Sequence, residues 1–308
     1  MIICARAITL TTRQCSEVKI LSILTAIFQA IGQALTFILP ISESGHSAIF
    51  HDFSARYSGE SAVLTGLIHI GIAVGIVAAY YSVFIRQCKE FIGGCKEIAA
   101  KKFEIKKSTH AREFTYYTVI PFFFMPLYLI PVGSKGNVYQ LLSSFTVDGN
   151  LISEGICFLF TASILLLTSS VLKKEKQGKG KALTLPVVLL LSLMIFVTLP
   201  LAGLSLCASI ICAAIICGVN RNFAFRYFIC IAVPVLLVTG IYEVAASTIA
   251  TTFIAGAIGV IVAIVFSFLA CRFLKWSVKN IDFKFYSYYT FALAALATIA
   301  GTVELITK

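Results

Sequence analysis

The stretch Gln33-Ala34-Leu35-Thr36-Phe37-Ile38-Leu39-Pro40-Ile41-Ser42-Glu43-Ser44-Gly45-His46 ends an apolar run that begins near residue 20, then turns abruptly polar. The apolar part reads as a helix in lipid, because backbone polar groups there must pair within their own segment. Pro40 and the Ser-Glu-Ser-Gly string after it break that helix. Broken backbone at membrane depth is tolerated where it is buried in protein or lines a cavity. A plain loop at the membrane surface is the simpler reading of the same string.

The rest of the chain has the same character. Only 13% of its 308 residues are charged and 59% are hydrophobic, against about 25% charged in a soluble domain. Mean hydropathy is +0.94. Such a chain lacks the polar surface to cover itself in water and is too apolar to be disordered. Runs long enough to be helical crossings fall at 20–40, 62–85, 114–132, 151–172, 183–200, 202–219, 223–242, 246–270 and 285–306, a crossing needing about 20 mostly apolar residues. The expected fold is therefore all-α, a polytopic transmembrane helical bundle. One membrane domain spans 20–306, preceded by an N-terminal cytoplasmic segment, 1–19, that makes a poor signal peptide.

A second break lies at Leu199-Pro200-Leu201-Ala202-Gly203-Leu204-Ser205. Interruptions in two halves of a chain point to a site between inverted repeats. The formal charge of +11 is concentrated in short loops: Arg86, Lys89, Lys96, Lys101, Lys102, Lys106, Lys107 and Arg112 in one, Lys173, Lys174, Lys176, Lys179 and Lys181 in the next. This is the positive-inside pattern, with anionic membrane lipid as neighbour and no nucleic acid as partner. Counting spans from these loops puts both breaks on the external side. The ten cysteines include no CxxC pair, so neither a zinc site nor a disulfide framework is read.

Ionisable groups beside membrane segments are functional candidates by default, and the densest cluster is Gln33, Thr36, Ser42, Glu43, Ser44, His46, His51 and Asp52. His69, alone in the second run, reads as a hydrogen-bonded packing residue, and Gly71-Ile72-Ala73-Val74-Gly75 as a helix-packing signal. Glu243 and Arg226 read as side chains reaching the interface.

Residues 33–46 resemble the first signature of the bacterial undecaprenyl-diphosphate phosphatases, the bacitracin resistance protein family. That signature runs acid or Gln, Gly, Leu, Thr, Glu, Phe, Leu, Pro, Ile or Val, Ser, Ser, Ser or Thr, Gly, His. Ala202-Gly203-Leu204-Ser205-Leu206-Cys207-Ala208-Ser209-Ile210, closing with Gly218-Val219-Asn220-Arg221, resembles the second, Pro-Gly-x-Ser-Arg-Ser-Gly-Ala-Thr followed by Gly-Leu-x-Arg. Ala232-Val233-Pro234 and the aromatic run Phe283 to Tyr289 extend the likeness to about residue 306. The resemblance implies two inverted repeats with re-entrant helical hairpins in the bacterial cytoplasmic membrane. It implies basic loops in the cytoplasm and an outward pocket where the signatures meet. The activity it implies is hydrolysis of a polyprenyl diphosphate that regenerates the lipid carrier for peptidoglycan.

Carried over residue by residue, the resemblance gives His46, Glu43 and Ser205 as catalytic candidates. Gln33, Ser42, Ser44, Gly45, Gly203 and Arg221 are the substrate-binding candidates. No metal ligand is assigned; Mg²⁺ or Ca²⁺ is the cofactor to expect if the protein is active. The departures are as informative. Phe37 stands at the second acid position, Glu43 at the middle Ser, Leu206 at the phosphate-clamp Arg and Ile210 at the closing Thr. Losing one such donor costs about 10²–10³ in rate, so the expectation is catalysis reduced or lost, with a polyprenyl (di)phosphate lipid as partner and a homodimer as the assembly to consider. The alternatives are a non-catalytic polyprenyl-lipid binder or translocator, or a small-molecule transporter.

Overall fold

A computed structural model of the chain describes residues 23–53, 62–100, 109–133, 136–146, 150–174, 180–247 and 252–307. The expected segment 1–19 lies outside them, as do most of the lysines of the two basic loops. All regular structure among the described residues is helical. In chain order the helices are α1 Ile23–Ile38, α2 Glu43–Phe53, α3 Ala62–Ala79, α4 Tyr81–Ala99, α5 His110–Val119 and α6 Val138–Ser143. They continue as α7 Ile152–Lys174, α8 Leu185–Thr198, α9 Leu206–Ile216, α10 Arg221–Ala246, α11 Phe253–Asn280 and α12 Lys284–Thr307.

Five of these, α3, α7, α10, α11 and α12, are long and apolar enough to cross a bilayer. Their outer faces carry exposed Phe160, Leu167, Ile261, Val265 and Ile299. Apolar surface of that extent is lipid-facing rather than water-facing; the chain is an integral membrane protein.

Packing fixes the directions of the helices. Gly71 and Gly75 of α3 lie against Val260 and Ile264 of α11, and the Tyr80 hydroxyl donates to the Cys271 carbonyl, so α3 and α11 run parallel. The small residues let the two backbones approach, as the Gly-x-x-x-Gly spacing predicts. Gly66 abuts Gly240, while the Tyr80 ring meets Phe225, so α10 runs antiparallel to α3. Gly155 abuts Thr298, and Ser287 donates to the Ala162 carbonyl, pairing α7 with α12 in the same antiparallel sense.

Two pairs of helices are hairpins rather than crossings. α8 has 14 residues and α9 has 11, lengths of roughly 21 and 16 Å, short of a core about 30 Å thick. The pair enters from the end of the bundle where Lys181 exchanges backbone hydrogen bonds with Gly218 and Asn220. We call this the basic end, because Arg221 and Lys279 also lie there. The first hairpin, α1 and α2, enters from the opposite end: Ala26 of α1 sits beside Gly259 at the level of Leu64. Each hairpin bends at a Leu-Pro pair, Leu39-Pro40 or Leu199-Pro200, and one enters from each end.

The second break is therefore a buried turn rather than a plain loop at the surface. Pro200, Gly203, Leu204 and Ser205 are buried inside the bundle, at the tip of a hairpin that starts from the basic end. α8 and α9 turn back before crossing, so the runs 183–200 and 202–219 are not two separate crossings. The run 114–132 is not one helix either. After α5 it becomes two short 3-10 turns, Ile120–Phe123 and Met125–Leu129. Pro121 and Pro126 lack the N–H that would continue an α-helix. The interval 86–112, expected as a loop, opens with α4, an amphipathic helix in which only Gly94 is buried.

Candidate functional site at the meeting of two hairpins

The two hairpin tips touch. The Ser42 hydroxyl donates to the Leu204 carbonyl at 3.2 Å, across the junction. A side chain on Gly45 would collide with the Phe158 ring and come within 2.8 Å of the Gly203 Cα. Gly203 itself has φ +93, a conformation glycine adopts without penalty. Thr161 of α7 fastens the second tip, its hydroxyl donating to the Gly203 carbonyl and accepting from the Ser205 N–H.

Each tip is also the start of a helix. Ser42 caps α2 by accepting the Gly45 N–H, and Ser205 caps α9 by accepting the Ala208 N–H. These are equivalent positions, the third residue of each helix. Ser42 does so from φ 69, which a side-chain-bearing residue seldom adopts; such strain gathers at functional sites. Two helix N-termini, each the positive end of its dipole, thus meet at one point.

His46, on the next turn of α2, is held from both sides. Its Nδ1 lies 2.6 Å from the Ser42 carbonyl oxygen, which can only accept, so Nδ1 carries the proton. That leaves Nε2 with its lone pair, 2.8 Å from the Tyr289 hydroxyl, which donates to it. The Tyr289 ring stacks on the imidazole, and Phe158 meets it edge-on.

Glu43 accepts from Ser47 at 3.2 Å and faces the imidazole of His69 at 3.9 Å. The other ring nitrogen of His69 donates to Glu243 of α10 at 2.8 Å. One histidine therefore stands between two carboxylates drawn from distant parts of the chain. The reading of His69 as a hydrogen-bonded packing residue holds, whereas Glu243 does not simply reach for the interface but accepts from His69. Their positions along apolar helices hold no hint of the pairing.

The remaining candidates fall into two groups. Gln33 is buried near the end of α1, its Oε1 accepting no hydrogen bond among the described residues. Ser44 is half-buried at the tip, 3.4 Å from Ser42. Ser205 is buried, its hydroxyl committed to the cap. Arg221 is not brought to the junction. It lies at the basic end, beyond the length of α9, and donates to the carbonyls of Val278 and Lys279. Tyr289, which no residue-by-residue transfer assigned, is at the site; the aromatic run near residue 286 was its only signal.

The departures from the signatures are now spatial. Phe37 packs against the core, and Leu206 and Ile210 are buried within it. None of the hydrogen bonds or ion pairs made by Glu43, Ser44, His46 or His69 among the described residues involves an arginine or a lysine. Nor do any three His, Cys, Asp or Glu side chains there converge to hold a metal. Ca²⁺, which takes six to eight oxygen ligands, does not fit the donors present, Glu43 shared with Ser47 and Glu243 held by His69; Mg²⁺, held elsewhere by one or two carboxylates with waters and substrate phosphates, would rest on Glu43.

Comparison with known proteins agrees with this picture. The family model described as bacitracin resistance protein BacA matches residues 26–296. A protein of Methanosphaera stadtmanae named undecaprenyl-diphosphatase is 23% identical over 292 residues, covering 92% of this chain and 99% of its own. One of Treponema denticola with the same name is 28% identical over 281 residues, covering 89% and 95%. Another, of Alkaliphilus metalliredigens, is 25% identical and covers 89% and 97%. With a match that takes in both hairpins and every crossing helix as far as α12, the chain belongs to the bacitracin resistance protein BacA family.

Proposed function

We propose that this protein holds the phosphate end of a polyprenyl (di)phosphate lipid where the two hairpin tips meet, and that hydrolysis of the diphosphate is reduced or lost. The substrate class comes from the relatives, which are named undecaprenyl-diphosphatase. The observation that carries the second half is Leu206. Cleaving a phosphoanhydride puts negative charge on phosphoryl oxygens, and a cation or strong donors must meet it. At the clamp position this chain has a buried leucine, and Arg221 is tied to the end of α11. The anions Glu43 and Glu243 stand near each other, with His69 between them.

What supports binding is the backbone. Two helix N-termini face the junction, a natural setting for a phosphate, with the half-buried Ser44 hydroxyl beside them. The basic end is placed in the cytoplasm by the positive-inside rule, and residues 20–306 act as one membrane domain.

A second reading, hydrolysis with relocated residues, has one observation in its favour: His46 keeps a lone pair on Nε2, oriented by Tyr289, as a general base requires. Phosphate release from undecaprenyl diphosphate by the purified protein, with Mg²⁺ or Ca²⁺ supplied, separates the two. Release no faster than the uncatalysed background, with the lipid still bound, is expected. Turnover that His46→Ala abolishes would overturn the proposal in favour of the second reading.

A further inference from the structure

The basic end carries a cavity of about 460 Å³ that has no part in the hairpin junction. It opens between the starts of α4, α5 and α10. Its walls combine apolar Val83, Phe114 and Phe223 with Gln87, and two arginines, Arg86 and Arg226, point to it.

The charge pattern around it is one-sided. Arg112, close by on α5, is matched by Glu90 and Glu97. Glu113 accepts the Tyr117 hydroxyl and faces His110, whose ring also lines the cavity. Arg86 and Arg226 form no ion pair or hydrogen bond among the described residues. Arg272 and Lys275 of α11 likewise have no acidic partner there; both lie over the Tyr80 ring, at 5.7 and 5.1 Å. Tyr80 in turn packs on Phe225, the neighbour of Arg226. Arg86 and Arg226 therefore line one half-open hollow, with Arg272 and Lys275 near by across Tyr80, and the described carboxylates closest to it, Glu90, Glu97 and Glu113, are already engaged.

The level of the cavity along the bundle says what it meets. Tyr81 and Trp276 are exposed at this end, 63% and 53%, and exposed Tyr and Trp of a membrane protein sit at the headgroup level. Free arginines at that depth take a phosphate through paired N–H groups, and the apolar wall suits the glycerol or first carbons of a chain. We propose that this cavity is a binding site for the phosphate headgroup of an anionic lipid in the leaflet at the basic end, separate from the hairpin junction. Inorganic phosphate has the same recognising chemistry, and the experiment must tell the two apart.

The test uses the full-length protein in phosphatidylcholine vesicles doped with phosphatidic acid. Trp276 is the chain's single tryptophan, so brominated phosphatidic acid should quench its fluorescence more strongly than brominated phosphatidylcholine at equal content. In the double variant Arg86→Gln, Arg226→Gln the apparent affinity for phosphatidic acid should fall roughly tenfold or more, with phosphatidylcholine unaffected. The quenching difference is read in the unaltered protein and so does not depend on the variant folding. Equal quenching by the two lipids overturns the proposal, as does an unchanged affinity in a folded double variant. Displacement of phosphatidic acid by millimolar inorganic phosphate would overturn the lipid assignment in favour of a free-phosphate site.

Discussion

Ser42 and Leu204 lie 162 positions apart, yet the hydroxyl of the first donates to the carbonyl of the second at 3.2 Å. One hydrogen bond thus joins the tips of two hairpins that enter the bundle from opposite ends. The close approach of Gly45 to Gly203 leaves no room for a side chain between them. In Gly203→Ala a Cβ would sit 2.7 Å from the Glu154 carbonyl oxygen, on a backbone at φ +93. The strain should cost about 2 kcal/mol or more, read as a lower unfolding midpoint in detergent and as weaker lipid binding.

His69→Ala removes the one group between Glu43 and Glu243 and leaves two poorly solvated carboxylates facing each other. Breaking a buried pair costs about 3–5 kcal/mol; Glu243 keeps some solvent contact, so the lower part of that range is expected. Glu243→Gln keeps an acceptor for the His69 N–H and should cost distinctly less. Denaturant unfolding of both variants checks the order, and equal losses would show that the pairing rests on the Glu243 charge rather than on an acceptor for the His69 N–H.

Arg221→Ala separates the transferred role from the observed one. Its guanidinium serves the Val278 and Lys279 carbonyls at the basic end. The variant should lose on the order of 1 kcal/mol of stability and keep its affinity for a polyprenyl phosphate. A tenfold drop in that affinity at unchanged stability would return Arg221 to the binding site.

Leu206→Arg restores the residue the family signature has at the clamp. If the missing cation is what limits turnover, phosphate release should rise by about 10²-fold over the natural chain. An unchanged rate in a folded variant would mean that Phe37, at the lost acid position, or another feature sets the limit.

The hairpins were legible because proline and the polar string after it interrupt apolar runs, and because Ser42, Gly45 and Gly203 stand at those interruptions. Hairpin depth was not legible: charge in the loops counts crossings, and a helix that turns back leaves the same charge pattern as one that crosses. The break after α5 could have been read from Pro121 and Pro126, which hydropathy averaging hides. The link from Glu43 through His69 to Glu243 could not, since it depends on α3 and α10 crossing at Gly66 and Gly240, a tertiary fact with no local trace. Arg221 was misplaced for a related reason, as closeness to Ser205 in sequence conceals the whole length of α9 between them.

The claim that the tips hold a phosphorylated lipid without cleaving it is tested most directly by native mass spectrometry of the purified protein incubated with undecaprenyl diphosphate. The account predicts an adduct at the mass of the intact diphosphate, persisting over hours and weakened in Gly203→Ala. Conversion of the bound lipid to the monophosphate, stopped by His46→Ala, would contradict it.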